Sequence, residues 1–208
     1  MEQIDQQIAH IKEELENDPT NADLLNELGI GYHIRGNYDK ALEAFQKSLT
    51  ENAQNAQTHF NMANTFVQQR QMDAAANHYL DALDIKPDYV PALNNLADLY
   101  EMADEEESAR ELFEYITQLK PEDAMGYFNL ANHLLRTHNT LEAGKNYKKA
   151  IERDPQFHEA YNNIGLILKH LHEYEDAIPY YEQCLEIAPD YKPAQKDLKE
   201  CREKAKNI

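Results

Sequence analysis

The sequence predicts an all-α protein in which antiparallel helix pairs stack into a solenoid, and three observations lead to this fold class. Five of the eight prolines fall on one 34-residue spacing: Pro19, Pro87, Pro121, Pro155 and Pro189. Within each interval the apolar residues form two runs with helical periodicity. Small residues recur at the same places. A repeat of this length marks a unit that buries its apolar face only by stacking on copies of itself.

Five repeats follow when the proline is counted as the thirty-second residue of each unit: 22–55, 56–89, 90–123, 124–157 and 158–191. Only the first repeat lacks the proline, with Ala53 in its place. In each repeat, one apolar run predicts a first helix and the next run predicts a second. Residues 1–21 and 192–208 each carry one narrow apolar stripe, which predicts an N-terminal and a C-terminal capping helix. The whole chain, 1–208, is thus expected to form one superhelical domain.

The repeats share a pattern of small and large residues that predicts how the two helices pack. In every copy the eighth residue is glycine or alanine and the twentieth is alanine. The twenty-fourth is aromatic: Phe45, Tyr79, Phe113, Tyr147 and Tyr181. Small residues let two helices approach closely, and the aromatic ring fills the space beside them. We therefore expect the twenty-fourth residue to lie in the core of each repeat.

The turn between the two helices differs among the repeats in sequence. In the first repeat it contains Gly36, which suits the left-handed conformation that ends a helix. The other four repeats have a larger residue at that place: Arg70, Asp104, His138 and His172. Because side chains disfavour a positive φ, these four turns are expected to be strained or differently shaped.

These recurring positions resemble the tetratricopeptide repeat family across residues 22–191. The resemblance rests on the small residues, the aromatic residue and the proline, which match in register in nearly every copy. The tryptophan often found at the fourth place in that family is absent, and His59 takes this place in the second repeat. The resemblance implies a right-handed superhelix whose first helices line a concave surface that binds partner proteins.

Composition and charge argue against several classes of function. The formal charge is −18, with 38 acidic and 20 basic residues, so binding to nucleic acid is not expected. No apolar run is long enough to insert in a membrane, and the N-terminus lacks the pattern of a signal peptide. The two cysteines are expected to be reduced thiols. A cytoplasmic location is therefore predicted.

The sequence carries no recognisable catalytic motif. The pair His158-Glu159 lacks the second histidine of a zinc-protease helix, while His170 and His172 point to different sides of a helix. No phosphate-binding glycine loop or nucleophile elbow occurs. The chain is therefore predicted to be a non-enzyme without cofactor or metal, since no two histidines and a third ligand are expected to converge.

The first helices carry a row of asparagines, which supply most of the candidate binding residues. An amide both donates and accepts hydrogen bonds, so such a row can bind the backbone of an extended peptide without reading its sequence. The arrangement is similar to the asparagine ladder of some superhelical family members. The predicted peptide-binding residues are Asn61, Asn64, Asn95, Asn129, Asn132, Asn163, Phe60, Phe128, Asp98 and Glu101.

Side chains beside the asparagine row predict the chemistry of the ligand. Phe60 and Phe128 are expected to favour an apolar or aromatic anchor, and Asp98 with Glu101 is expected to favour a basic residue. The chain is therefore interpreted as an adaptor or co-chaperone-like module that binds a protein or peptide partner. A two-carboxylate clamp for acidic chaperone tails is not expected, because no basic residue stands at the fifth or sixth place of a repeat.

Asn95 and Asn129 lie at the centre of the row and outside the core pattern. Replacing both with alanine is expected to weaken peptide binding about tenfold or more. The melting temperature is expected to stay nearly unchanged, because neither side chain is assigned a packing role.

Two alternatives remain open at this point. The acidic stretch from Asp98 to Glu114 has eight acids and only Arg110 against them, and it is either a solvated edge or a docking site for a basic partner. The two ends of the chain also differ: residues 1–18 carry six acids and one base, and residues 192–206 carry six bases and three acids. Head-to-tail contact of such ends would give open chains, so a self-assembling scaffold is the alternative function.

Overall fold

A computed structural model describes residues 2–206 of the chain, and the regular structure of these residues is helical. The helices are α1 Glu2–Asn17, α2 Ala22–Ile34, α3 Tyr38–Glu51, α4 Ala56–Gln68, α5 Met72–Ile85, α6 Val90–Met102, α7 Glu106–Leu119, α8 Ala124–Arg136, α9 Thr140–Arg153, α10 His158–His170, α11 Tyr174–Ile187 and α12 Lys192–Ala205. Across this described range, none of the helices combines the length and the apolar character needed to cross a membrane.

The helices repeat at the spacing that the prolines predict. First helices begin every 34 residues, at Ala22, Ala56, Val90, Ala124 and His158. Second helices keep the same interval, at Tyr38, Met72, Glu106, Thr140 and Tyr174. The capping helix α12 begins at Lys192, where a sixth first helix would begin. The predicted fold class, an all-α solenoid of helix pairs, is confirmed.

The chain divides into two compact units, the first ending at Asp104 and the second beginning at Glu105. Helices α1 to α6 form the first unit, and α7 to α12 form the second. The boundary lies in the turn of the third repeat. Each unit therefore holds two complete helix pairs and two single helices, so that repeats of one unit have counterparts in the other. The expectation of one domain over 1–208 stays a prediction.

Small and aromatic residues pack against each other inside the helix pairs, as the repeat pattern predicts. The alanines at the twentieth place are fully buried: Ala41, Ala75, Ala109, Ala143 and Ala177. Gly29 of α2 lies against the ring of Phe45, and a methyl group there would overlap that ring. A Cβ atom on Gly165 of α10 would lie 2.9 Å from ring atoms of Tyr181. The close approach of these helices therefore depends on a small residue opposite an aromatic one.

The turn between paired helices adopts the same left-handed conformation in all five repeats. The angle φ is +72° at Gly36, and it lies between +59° and +64° at the residues that replace it: Arg70, Asp104, His138 and His172. The chain then closes the helix end, as in the bond from Gln71 N to Phe66 O at 2.9 Å. The expectation of differently shaped turns is wrong, whereas four turns do hold a side chain in a conformation that favours glycine.

One lysine of α10 forms salt bridges with two carboxylates of α12, the last helix of the second unit. Lys169 places its Nζ 2.7 Å from both Asp197 Oδ1 and Glu200 Oε2 of α12. Burial lowers the pKa of Lys169, but the hydrogen bonds to these carboxylates outweigh it and leave the pKa raised. Cys184 and Cys201 lie in the core between α11 and α12 as buried free thiols.

Candidate protein-interaction site

In the first unit, several predicted binding residues meet around one tyrosine hydroxyl. Tyr79 of α5 donates to Asn64 Oδ1 of α4 at 2.5 Å. Asn95 Nδ2 of α6 donates to the same oxygen at 2.9 Å and to the tyrosine hydroxyl at 3.0 Å. Phe60 packs against Tyr79, with ring centroids 5.9 Å apart. We call Phe60, Asn64, Tyr79 and Asn95 the Tyr79 cluster.

The second unit contains the same arrangement 68 residues further along the chain. Tyr147 of α9 donates to Asn132 Oδ1 of α8 at 2.6 Å. Asn163 Nδ2 of α10 donates to that oxygen at 3.3 Å and to the tyrosine hydroxyl at 3.2 Å. Phe128 packs against Tyr147, with centroids 5.6 Å apart. We call these four residues the Tyr147 cluster.

The tyrosine hydroxyls of both clusters are buried and remain protonated. Burial raises the pKa of Tyr147 to about 12, although the hydrogen bond with Asn163 lowers it. Burial also raises the pKa of Tyr79, against the hydrogen bond with Asn95. Each phenol therefore keeps its proton at neutral pH and donates it to an asparagine oxygen. The clusters thus join each helix pair to the first helix of the next repeat.

Each cluster leaves one amide nitrogen with unused capacity to donate. Asn64 Oδ1 and Asn132 Oδ1 each accept two hydrogen bonds. Their Nδ2 atoms make no hydrogen bond within the described part of the chain. Asn132 is exposed and Asn64 is half-buried. An amide nitrogen so placed can donate to a carbonyl oxygen of a bound chain.

A second aromatic residue extends the apolar side of each cluster. In the first unit, Tyr89 meets Phe60 edge-on, with centroids 5.2 Å apart. In the second unit, the ring centroids of Phe157 and Phe128 are 4.6 Å apart. Tyr89 and Phe157 are the residues just before α6 and α10. In both units, the apolar surface is therefore formed by the fifth and the last residue of a single repeat.

Three sequence models described as tetratricopeptide repeat match this chain, over residues 22–88, 60–124 and 158–191. Together the matches cover more than half of the chain, and those over 22–88 and 158–191 coincide with helix pairs. The chain belongs to the tetratricopeptide repeat family. The resemblance inferred from the small, aromatic and proline positions is confirmed.

Curated relatives of this tetratricopeptide chain include much longer proteins. Human protein O-mannosyl-transferase TMTC1 is 30% identical over 185 residues, which is 85% of this chain and 20% of the relative. The chain thus spans about a fifth of the length of such curated relatives.

Solved tetratricopeptide structures share the fold. YrrB, described as a TPR protein with an unusual peptide-binding site, aligns with a TM-score of 0.70 at 17% identity, covering 91% of this chain and 97% of YrrB. The C-terminal part of a TPR repeat-containing protein from Cytophaga hutchinsonii aligns with a TM-score of 0.79 at 18% identity, covering 97% of this chain and 81% of the other. At these identities the likeness shows the fold alone.

The remaining predicted site residues lie beside the two tetratricopeptide clusters rather than within them. Asn61 is half-buried, and its Nδ2 donates to Asn26 Oδ1 at 3.0 Å. Asn129 is half-buried in α8. Asp98 is exposed on α6, where partial desolvation and then the charge of Glu101 raise its pKa. Acidic side chains therefore share a helix with an asparagine of the Tyr79 cluster.

The expectation that Asn95 lies outside the packing pattern is wrong. Its Nδ2 is bonded to Asn64 and to the buried hydroxyl of Tyr79. Removing one partner from a buried polar group costs free energy beyond the bond itself. Alanine at this position is therefore expected to lower stability as well as binding, so it cannot separate the two effects.

Sequence reasoning assigned Tyr79 and Tyr147 to the core alone, because tyrosine fits an aromatic core position as well as phenylalanine does. A signal for their second role is nevertheless present. In both repeats, tyrosine at the twenty-fourth place coincides with asparagine at the ninth place and with asparagine at the sixth place of the following repeat. Such a coincidence indicates a hydroxyl that needs partners when buried.

A group of metal-ligand side chains also converges in the second repeat. His59 Nδ1 of α4 and His78 Nδ1 of α5 are 3.1 Å apart, and Asp81 Oδ2 lies 3.4 Å from the first and 3.3 Å from the second. Burial and then the charge of His59 lower the pKa of His78, against the effect of Asp81. The expectation that no two histidines and a third ligand converge is wrong. The two histidines are 19 residues apart in sequence, so no short motif pointed to them.

Proposed function

We propose that this chain is a non-enzymatic interaction module that binds extended segments of partner proteins at the Tyr79 and Tyr147 clusters. Family membership and the helical-repeat fold support a protein-protein interaction scaffold in general. One observation carries the finer proposal. The same arrangement, two asparagines around a buried tyrosine hydroxyl beside a phenylalanine, recurs at the same repeat positions once in each unit.

The asparagines supply the polar part of the proposed contact. Asn64 Nδ2 and Asn132 Nδ2 donate to carbonyl oxygens of an extended segment, with about 0.5–1.5 kcal/mol of net free energy for each bond. Their oxygens are already held by Tyr79 and Tyr147, which orient the amide before a ligand arrives. Because the backbone is the same in all sequences, these contacts position a segment without selecting it.

The aromatic and acidic side chains supply the proposed selectivity. The ring pairs Phe60–Tyr89 and Phe128–Phe157 offer an apolar surface on which an aliphatic or aromatic anchor packs. In the first unit, Asp98 adds negative charge that favours a basic residue beside this anchor. The proposed ligand therefore combines an extended backbone, an apolar anchor and, at the first unit, a neighbouring cation.

Three further observations support a binding role without catalysis. The sequence lacks recognisable nucleophile and phosphate-loop motifs. TMTC1 is named a transferase, but this chain spans only about a fifth of it. YrrB, which shares the fold, is described as having a peptide-binding site.

The proposal can be tested with peptides selected on the immobilised chain from a display library. Asn64→Asp and Asn132→Asp keep the oxygen that the tyrosine needs but replace the donating amide nitrogen. The affinity of a selected peptide, measured by calorimetry at moderate salt, is expected to fall about tenfold for at least one variant. The melting temperature is expected to stay close to that of the parent.

Asn52→Asp is the matched control, because Asn52 is exposed, lies outside both clusters and undergoes the same change of charge. If both cluster variants bind every selected peptide as tightly as this control, the clusters are not the binding site. The acidic stretch from Asp104 to Glu107 is then the next surface to test.

Self-assembly through unlike ends is the second candidate function, favoured by the opposite charges of residues 1–18 and 192–206. Part of the basic charge is already matched within α12 and its neighbour, since Arg202 pairs with Glu182 and Lys204 with Glu200. Light scattering distinguishes the two functions. Particles that grow at low salt and dissolve as salt rises would support assembly, whereas a constant size would reject it.

A further inference from the structure

Three side chains of the second repeat present donor atoms at the corners of a nearly regular triangle. The edges are 3.1 Å between His59 Nδ1 and His78 Nδ1, 3.4 Å from His59 Nδ1 to Asp81 Oδ2, and 3.3 Å from His78 Nδ1 to the same oxygen. A tetrahedral zinc ion with bonds of about 2.0–2.1 Å holds its ligand atoms about 3.3–3.4 Å apart. Two edges therefore match one face of such a coordination shell, and the third, at 3.1 Å, is about 0.2 Å shorter.

A cation accounts for this triangle better than hydrogen bonds alone. A proton shared between His59 and His78 stabilises one edge, and a proton donated to Asp81 stabilises another. The two atoms of the third edge then either face each other with lone pairs and no proton between them, or are two protonated nitrogens. Neither arrangement forms a hydrogen bond. A single cation facing the triangle satisfies the lone pairs of all three atoms at once.

The helices hold these side chains in place while leaving them accessible. His78 and Asp81 are three residues apart and so share one face of α5, and His59 approaches from α4. The His78 ring stacks on Phe66, with centroids 5.4 Å apart and planes within 7°. The side chains of His59 and His78 are 13% and 22% exposed, and that of Asp81 is 48% exposed. An ion can therefore reach the site from solvent.

We propose that His59 Nδ1, His78 Nδ1 and Asp81 Oδ2 bind one zinc ion, with the fourth coordination position open to water or to a ligand from a partner. Two imidazoles and one carboxylate suit zinc, whereas calcium and magnesium require more oxygen ligands. The net charge of −18 further favours a cation. Since its ligands come from both α4 and α5, the ion pins this helix pair and stabilises the repeat.

Titration of the untagged, chelator-treated chain with Zn²⁺ tests the site. We expect calorimetry to show one ion per chain and the melting temperature to rise with zinc. Co²⁺ is expected to give the visible absorption of a four-coordinate ion, and Mg²⁺ to give no response. Asp81→Asn, a nearly isosteric change at a half-exposed position, and His78→Ala are each expected to weaken zinc binding at least about tenfold.

His158→Ala provides the matched control. Its Nδ1 lies 3.1 Å from Glu159 Oε2, so this histidine also has a carboxylate partner but forms no three-ligand group with it. Zinc affinity is expected to be unchanged in this variant. Binding of less than half an ion per chain, or binding that survives both Asp81→Asn and His78→Ala in folded protein, would overturn the proposal. Equal loss in His158→Ala would overturn it as well.

Discussion

Repeats 56–89 and 124–157 lie in different units. They agree in the contacts that join successive helices, but they differ on another face of the helix pair. Both place two asparagines around a buried tyrosine hydroxyl and a phenylalanine beside it. This agreement spans three helices in each unit. The arrangement that links successive repeats is therefore the part that both units retain.

The differing face contains the fourth, twenty-third and twenty-sixth places of the repeat. In the first unit these are His59, His78 and Asp81, and in the second they are Tyr127, Asn146 and Lys149. There the ammonium group of Lys149 lies 5.3 Å from the centre of the Tyr127 ring, so the two helices are held by a cation-π contact. Packing of the helix pair thus does not require histidines, and their convergence in one repeat needs a separate reason.

The surroundings of the two clusters also differ in charge. Asp98 and Glu101 follow the asparagine of the Tyr79 cluster on α6, whereas the matching places on α10 hold Leu166 and Lys169. Lys169 is held by carboxylates of α12. Preference for a basic ligand is accordingly expected at the first unit alone.

Exchange of the three differing residues should have the largest effect. The variant His59→Tyr, His78→Asn, Asp81→Lys gives the second repeat the residues of the fourth, and it is expected to lose zinc binding altogether. The lost stabilisation is about 2.7 kcal/mol at a zinc concentration one hundred times the dissociation constant. Thermal melting with and without zinc measures it.

The reverse exchange is the complementary experiment, in which Tyr127→His, Asn146→His and Lys149→Asp are introduced into the fourth repeat. If the two helix pairs are equivalent, zinc stoichiometry is expected to rise from one to two. A second site that does not form, in a variant of normal helicity, would show that Phe66 stacking or another local feature is also needed.

Replacement of single tyrosines should have the next largest effect, and its sign should depend on the repeat. Tyr79→Phe and Tyr147→Phe remove a hydroxyl that bonds two asparagines, with an expected loss of about 0.5–1.5 kcal/mol each. The Tyr181 hydroxyl is buried without a hydrogen-bond partner in the described residues, and Leu166 replaces the asparagine at the ninth place of its repeat. Tyr181→Phe is therefore expected to leave stability unchanged or raise it. Chemical denaturation of the three variants measures the difference, and equal losses would contradict it.

Neutralisation of Asp98 should change binding by a smaller amount. Because this side chain is exposed, Asp98→Asn is expected to reduce the affinity of a basic peptide for the first unit by about 0.2–1 kcal/mol at low salt. The effect should fade as salt screens the charge. Asp84→Asn, at an exposed position of α5 outside the cluster, is the control. A loss that persists at high salt would rule out this electrostatic explanation.

The pH dependence of the same contact should show the weakest signal. Partial desolvation and Glu101 raise the pKa of Asp98, so the folded chain takes up this proton at a higher pH than an ordinary aspartate. Folding stability from this group therefore increases as pH falls through the raised pKa, while attraction for a basic peptide decreases. Binding measured over the acidic range is expected to weaken on acidification for the parent, and to weaken less for Asp98→Asn.

The fold was predictable because each of its determinants is local or strictly periodic. The places of Gly29 and Ala41 in the first repeat hold small residues in every other repeat as well, so the packing of one repeat predicts that of the others. The left-handed turns were harder to predict, since Arg70 and His138 adopt the conformation of Gly36 under the constraint of the helices on both sides. Tertiary packing there outweighs the preference of the individual residue.

The candidate site was predictable only in part. Asn64 and Asn132 stood out by their spacing, but the hydrogen bond of each to a tyrosine depends on contact between two helices of a repeat. His59 and His78 are 19 residues apart and belong to different helices, so their approach follows from helix pairing rather than from a motif. The 34-residue repeat assigns His59 and His78 to the two paired helices, and helical periodicity places them on the surfaces that face each other. Composition and short motifs contain neither piece of information.

The two buried cysteines allow the transient separation of helices in the second unit to be measured. Cys184 and Cys201 are fully buried, and burial raises the pKa of Cys184 to about 11 and also raises that of Cys201. Because the thiolate is the nucleophile that attacks thiol reagents, the native chain should react only during excursions that separate α11 from α12. The rate of labelling therefore measures how often this helix contact breaks, in the unmodified protein, and it would slow if a bound partner closed that contact.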